Sequence, residues 1–468
     1  MFVYISLKYG NMQHDFFSQK NHFYKFTALI LLLVIVQSCK KNSAKPDYPA
    51  GTNENINTWI LDSLKRYYYW NESLPGRPDI TADPKQFLSS VRNTADRFSY
   101  IILPSDPSTS TASTRSKYGF DYSTFSEQSG GNIIGVIKQV LSDSPAFRAG
   151  LKRGDYIYQI NGKQLNSANA AALQQEVISA NKVLLGMDAG AVEINAGATF
   201  EQPSISKILL TGNVKTGYLY INDFNTGLAS SLDHIFSNFK NAGVTELILD
   251  LRYNSGGQVA EAAGLCTMIA PGVNYGTPFI TYKGNKNGGV KSESLGTAAT
   301  FDRSLNFNTL LQHNLGLSRI FILGTGTTAS AAEVIINNLK PHMQVILVGE
   351  KTRGKDEASF TIADARNPKQ VEWELHPIVY KLFNAAGNGD YSAGITPDIT
   401  IDELSSLPLL ALGDASDPLI QAAISRITGN SSIASATAKR SLNNLRAGKV
   451  LTDTRMLDAA NSLVFTHR

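Results

Sequence analysis

Ser330 and Lys355 are the residues whose types and spacing carry the clearest chemistry. Ser330 closes the run Gly324-Thr325-Gly326-Thr327-Thr328-Ala329-Ser330-Ala331-Ala332-Glu333, between an apolar strand and a helix, and Lys355 comes 25 positions later (355 − 330), after the next strand. A serine hydroxyl is inert near neutrality until a base takes its proton. A lysine held among apolar groups sheds its charge readily enough to be that base, with no histidine required. The pattern therefore predicts nucleophilic acyl transfer by a Ser-Lys pair, with the hydroxyl presented at a helix start.

A second turn supports it. Glu246-Leu247-Ile248-Leu249-Asp250-Leu251 reads as a buried strand and ends in Arg252-Tyr253-Asn254-Ser255-Gly256-Gly257. Glycines at a strand's carboxyl end let backbone N–H groups approach a ligand closely, as an oxyanion hole requires. Two such turns side by side can converge on one carbonyl. The stretch Gly324 to Ala329 also fits the G-x-G-x-x-A dinucleotide fingerprint, with Glu350 24 positions after Gly326 (350 − 326). An export signal and the lack of a dehydrogenase-like substrate domain weigh against that reading. The seven histidines, His376-Pro377 and Lys340-Pro341-His342 among them, form no triad motif. No metal-ligand spacing and no phosphate loop is present, so neither metal nor cofactor is expected.

The elements that must position these groups form an α/β chain of several parts. The 468 residues are 43% hydrophobic and 18% charged, globular proportions, and the formal net charge of +4 is small, with no basic cluster interleaved with aromatics. Nucleic acid is not an expected partner. The domains expected are a signal peptide (1–38), a tether (39–55), a helical N-terminal region and loop (56–115), a β-rich module (116–206), an α/β core (207–405) and C-terminal helices (406–468). The last are expected around Asp417 to Ile427 and Ser441 to Leu463. The cluster Tyr67-Tyr68-Tyr69-Trp70 reads as aromatic packing rather than a ligand site.

Lys20, His22 and Lys25 precede an apolar run from Phe26 to Val36, then Gln37-Ser38-Cys39. This order resembles a bacterial lipoprotein signal peptide, and the run is too short to span a bilayer. Cys39 is the expected lipidation site. Lys40 and Lys41 then point to the outer membrane, facing the periplasm. Cys266 would be left alone as a small buried hydrophobe.

The segment Ser144-Pro145-Ala146-Phe147-Arg148-Ala149-Gly150-Leu151-Lys152-Arg153-Gly154-Asp155, followed by Ile160-Asn161-Gly162, resembles the signature of a PDZ domain. A PDZ domain takes an extended peptide along a sheet edge. By resemblance, Tyr118-Gly119-Phe120-Asp121-Tyr122 occupies the place of its carboxylate-binding loop. Asp250-Leu251-Arg252-x-Asn254-x-Gly256-Gly257, Ser330-Ala331-Ala332-Glu333, Val348-Gly349-Glu350-Lys351-Thr352-x-Gly354-Lys355 and Gly394-Ile395-Thr396-Pro397-Asp398 resemble, in order, the motifs of the carboxy-terminal processing peptidases, or tail-specific proteases. That resemblance implies a crotonase-like α/β core preceded by a PDZ domain. It implies Ser330 as nucleophile, Lys355 as general base, and an oxyanion hole from the N–H of Ala331 and of Gly256 or Gly257. Its expected substrates are unfolded envelope proteins engaged by their carboxy termini.

One position departs from the family pattern: Ser359 stands where many members carry a glutamine that orients the lysine. A serine hydroxyl accepts the same bond with a shorter reach. Asp356 and Glu357 beside the base would favour its charged form. Glu333 reads as a structural group rather than a proton donor. The competing class is a non-catalytic PDZ-containing peptide-binding lipoprotein that has drifted at the base.

Overall fold

The computed structural model describes residues 47–109, 113–128, 131–200, 204–301, 305–429, 447–455 and 464–465. The signal peptide and Cys39 lie outside them. Residues Ala50–Arg468 belong to one unit, to which everything below refers.

The strand Glu246–Asp250 shows why the core forms. Leu247, Ile248 and Leu249 are all fully buried, so both faces of this strand are covered. It sits inside a six-stranded sheet whose order is Ile399–Thr400, Gln344–Gly349, Arg319–Gly324, Glu246–Asp250, Val214–Ile221 and Ser204–Thr211. All neighbours run parallel except the last pair. Helices Asp233–Ala242, Val259–Ile269 and Ala331–Leu339 cover one face. Helix Pro418–Thr428 covers the other, packing on Tyr218, Ile248, Phe321 and Val348. The register pairs Asp250 with Leu323, Leu323 with Val348 and Gly324 with Gly349. Three strands thus end level, and the turns that follow them emerge side by side at the sheet's carboxyl edge.

A second six-stranded sheet runs in the order Gly257–Gln258, Val464–Phe465, Glu357–Ser359, Ile378–Asn384, Pro278–Lys283 and Val290–Ser294. It carries the chain away from both the glycine turn and Lys355. Helices Asn53–Tyr67 and Pro84–Val91 are capped by Thr52 and Asp83. Tyr68 is buried with Phe87, Phe360 and Val379, so the aromatic cluster joins the N-terminal helices to the second sheet as packing.

The PDZ-like segment folds into two four-stranded sheets and the helix Ala170–Ser179. Of the five residues expected to form its carboxylate loop, only Gly119 (φ 84°) stands between elements. Tyr118 ends the helix Thr114–Tyr118, and Phe120, Asp121 and Tyr122 already belong to the strand Phe120–Glu127.

The C-terminal expectation needs correction. Helix Pro418–Thr428 forms where expected, but within the second predicted helix the described stretch Ala447–Asp453 is a strand, antiparallel to Phe120–Glu127. Gly448, Val450 and Thr452 disfavour helix and suit a pleated edge, and an open strand edge outweighs a weak helical period. Among the described residues no helix is long and apolar enough to cross a membrane.

Candidate active site

Ser330 is fully buried, with φ of 61° and ψ of −121°, a backbone conformation that side chains other than glycine rarely adopt. Three threonines hold it there. The Thr327 hydroxyl donates to Arg252 O at 2.7 Å and that of Thr328 to Leu251 O at 2.8 Å, while Thr325 also donates to Arg252 O. Ala329 N–H donates to Asn254 O at 3.0 Å. The serine turn is therefore stitched to the glycine turn through main-chain carbonyls. The contact is close: a Cβ on Gly256 (φ 111°) would lie 2.5 Å from Ser330 Cβ, and one on Gly257 (φ 133°) 2.3 Å from Phe224 O. Both positions need glycine.

Glu333, one turn into the helix, joins the serine to the lysine. Its Oε2 accepts the N–H of Ser330 at 2.9 Å and of Lys355 at 2.8 Å. Its Oε1 accepts the Gly354 N–H at 2.7 Å and the Thr352 hydroxyl at 2.5 Å. Thr352 Oγ1 in turn accepts Ile395 N–H at 2.7 Å, which draws in the Gly-Ile-Thr-Pro-Asp segment. Burial raises the Glu333 carboxyl, and these four donors oppose the shift.

Lys355 is fully buried, its Nζ 5.0 Å from the centre of the Phe98 ring. Burial pushes its pKa down to about 7, against the charges of Glu357, Glu333 and Asp96, which favour the ammonium. Glu357 is the foremost of these charges, although Lys381 pairs with both Asp356 and Glu357, at 2.8 and 2.7 Å.

Ser330 Oγ, Lys355 Nζ and Ser359 Oγ are all buried without a hydrogen-bond partner among the described residues. The expected Lys355–Ser359 bond is therefore not made, nor is one between Lys355 and Ser330 in this conformation. Buried polar groups are normally paired. A hydroxyl and a low-pKa amine left unpaired beside two linked turns can exchange a proton with a reacting group.

Of the two glycines, Gly256 gives its N–H to Asn254 Oδ1 at 2.9 Å. Gly257 pairs with Val464 in the second sheet, and Ala331 opens a helix whose first-turn N–H groups have no partner within the helix, so both expected oxyanion positions lie at the turns around Ser330. The same geometry removes the dinucleotide reading. Gly326 N–H is turned to Glu350 at 3.4 Å and Thr325 N–H to the Thr328 hydroxyl at 2.9 Å, so amides a pyrophosphate would need are spent internally.

Sequence reasoning missed several neighbours. Asp96, Arg97 and Phe98 reach the site from the N-terminal region, and Arg97 donates to Gly354 O and, at 2.9 Å, to Ser392 O. His376 stacks on Tyr100 at 4.5 Å, and burial with the nearby Lys355 charge holds it down to about 4. No local motif signals either. Cys266 is buried and its thiol is pushed up by desolvation. Among the described residues no cluster could hold a metal ion.

Comparison with known proteins agrees with this layout. Residues 215–401 match peptidase family S41, 55–100 the peptidase S41 N-terminal domain and 136–185 a PDZ domain. The α/β core thus carries the signature of peptidase family S41, with an S41 N-terminal domain and a PDZ domain ahead of it in sequence. It is 26% identical over 312 residues to a carboxyl-terminal-processing protease of Synechocystis, covering 63% of this chain and 65% of that one. It is 24% identical over 282 residues to a carboxy-terminal-processing protease of Bartonella bacilliformis, covering 58% and 59%. The chain thus spans less than two thirds of the length of these relatives. The crystal structure of a Bacteroides fragilis protein assigned to the S41 proteases superposes with a TM-score of 0.65 at 26% identity, over 82% of this chain and 99% of that one.

Proposed function

We propose that the protein is a serine endopeptidase that cleaves unfolded or carboxy-terminally recognised proteins of the cell envelope. Ser330 Oγ attacks the scissile carbonyl carbon and passes its proton to Lys355 Nζ. The oxyanion that forms takes hydrogen bonds from the Gly256-Gly257 turn and from Ala331. Collapse breaks the C–N bond, Lys355 returns the proton to the leaving amine, and water then hydrolyses the ester by the same steps. The observation that carries this reading is the Glu333 carboxylate, which holds the main-chain N–H of both Ser330 and Lys355. It fixes a nucleophile and a discharged base against the glycine turn. The PDZ domain supplies the peptide-binding edge. Anchoring through lipid on Cys39 to the outer membrane, facing the periplasm, belongs to the same proposal and rests on the N-terminal sequence alone.

The test is to incubate the full chain with an unfolded protein of apolar carboxy terminus and to identify fragments by mass spectrometry. Cleavage lost in Ser330→Ala and in Lys355→Met supports the reading. A non-catalytic peptide-binding role is favoured by one observation, the lack of a hydrogen bond between Ser330 and Lys355. Peptide binding without cleavage, unchanged in both variants, would establish that role instead.

A further inference from the structure

The PDZ edge strand Phe120–Glu127 already has a partner. Ala447–Asp453 pairs with it antiparallel, placing Asp453 opposite Ser123, Thr452 opposite Thr124 and Val450 opposite Phe125. This is the edge along which a PDZ domain adds a peptide strand. The side chains are matched as well as the backbone. Leu451 packs on the PDZ core that includes Tyr122, Leu173 and Val177, and so enters between the edge strand and the helix Ala170–Ser179. Asp453 accepts from Lys138 at 2.8 Å and from the Ser123 hydroxyl at 2.9 Å. Thr454 Oγ1 accepts Tyr122 N–H and donates to Asp121, each at 3.0 Å.

The contacts then leave the PDZ domain for the catalytic turn. Arg455 is fully buried, donates to Tyr253 O at 2.5 Å and pairs with Asp223 at 3.1 Å. Asp223 also accepts the Ser255 hydroxyl at 2.9 Å. Further along, Val464 and Phe465 pair in parallel with Gly257 and Gln258, and Phe465 with Ser359. One segment therefore adds a strand at the PDZ edge and another beside the proposed oxyanion donor.

We propose that residues 447–455 are a tethered ligand of the PDZ groove, recognised as an internal strand through Leu451, Asp453 and Arg455, which an incoming polypeptide must displace. The proposal rests on reading this chain as a peptidase with a peptide-binding PDZ domain. It also defines what the groove selects: an aliphatic side chain, a carboxylate two residues on and a guanidinium four residues on, with no terminal carboxylate required. A tether of this kind competes at an effective concentration on the order of 1 mM, so a free peptide of about 10 μM intrinsic affinity would bind the intact chain about 100-fold more weakly.

The experiment uses the full chain carrying Ser330→Ala, so its result is independent of catalysis. Hydrogen exchange of the amides at 120–127 and 447–453 is measured first, with the tail unsubstituted. Slow exchange in both strands is expected; fast exchange in either overturns the proposal. A labelled nonapeptide of the sequence 447–455 is then titrated against this chain and against the same chain with Asp453→Lys and Arg455→Glu, which set like charges against Lys138 and Asp223. Leu451→Asp serves as a second release variant, and thermal unfolding checks that each is folded. Binding about 100-fold tighter to the released variants supports the proposal. Equal affinity, or no binding to folded variants, refutes it. Cleavage assays on the chain with Ser330 intact report separately on the peptidase reading.

Discussion

Lys355 is expected to act as a base with a midpoint near pH 7. The move from the ordinary 10.5 to about 7 corresponds to about 5 kcal/mol against the buried ammonium, an upper bound. The assay is the second-order rate at which a fluorophosphonate labels Ser330. The Oγ–P bond forms, fluoride leaves and the proton passes to the lysine. At pH 8 about nine tenths of the lysine is neutral and at pH 5 about one hundredth, so the rate should fall about 90-fold between them. Glu357 is the strongest of the anions favouring the ammonium, so Glu357→Gln should move the midpoint further down. The same shift has a stability consequence. The unfolded lysine binds its proton below 10.5 and the folded one only below about 7, so between these values unfolding takes up a proton and stability rises with pH. The penalty is complete below pH 7. Lys355→Met should therefore raise the Tm most at pH 6, and the gain should vanish towards pH 10.5. A flat labelling profile, or a midpoint above 9, would refute a buried, discharged base.

Glu333→Gln replaces an acceptor of four donors by a group with one acceptor and its own N–H bonds. Denaturant unfolding should show a loss of about 3 kcal/mol, with labelling of Ser330 slowed at every pH. Gly257→Ala drives a methyl group onto Phe224 O, and kcat should fall about 10²- to 10³-fold with KM little changed, as steady-state kinetics on a fluorogenic peptide will show. Cys39→Ala should move the protein from the membrane to the soluble fraction and abolish incorporation of labelled palmitate.

Much of the site was legible because its parts are local. A strand, a glycine or serine turn and a helix each announce themselves within a few residues, and parallel strands ending level do the assembling. Ser330, Lys355 and the Gly256-Gly257 turn stand out as candidates for that reason. Other features depend on partners far away in sequence. Lys381 pairs with both carboxylates beside Lys355 from 25 positions beyond Asp356 (381 − 356), a contact that no local pattern announces. Asp453 meets Lys138 across 315 positions. The stretch Ala447–Asp453 carries a weak helical period in sequence and is nonetheless a strand, because its pairing edge lies more than 300 positions away, at Phe120–Glu127. Ser359 was expected to orient the lysine, yet a serine at that strand position leaves the amine unbonded.

Glu333 has one more consequence. A single carboxyl group grips the main chain of Ser330 and Lys355, so the two cannot drift apart without disrupting its set of four hydrogen bonds. Any on–off control of the proposed activity must then leave that pair untouched. It has to work through what the pair does not own: rotation of two unpaired side-chain tips, the setting of the glycine turn, or admission of a chain to the cleft. If the proposed chemistry holds, such a site stays permanently armed and is governed at the door.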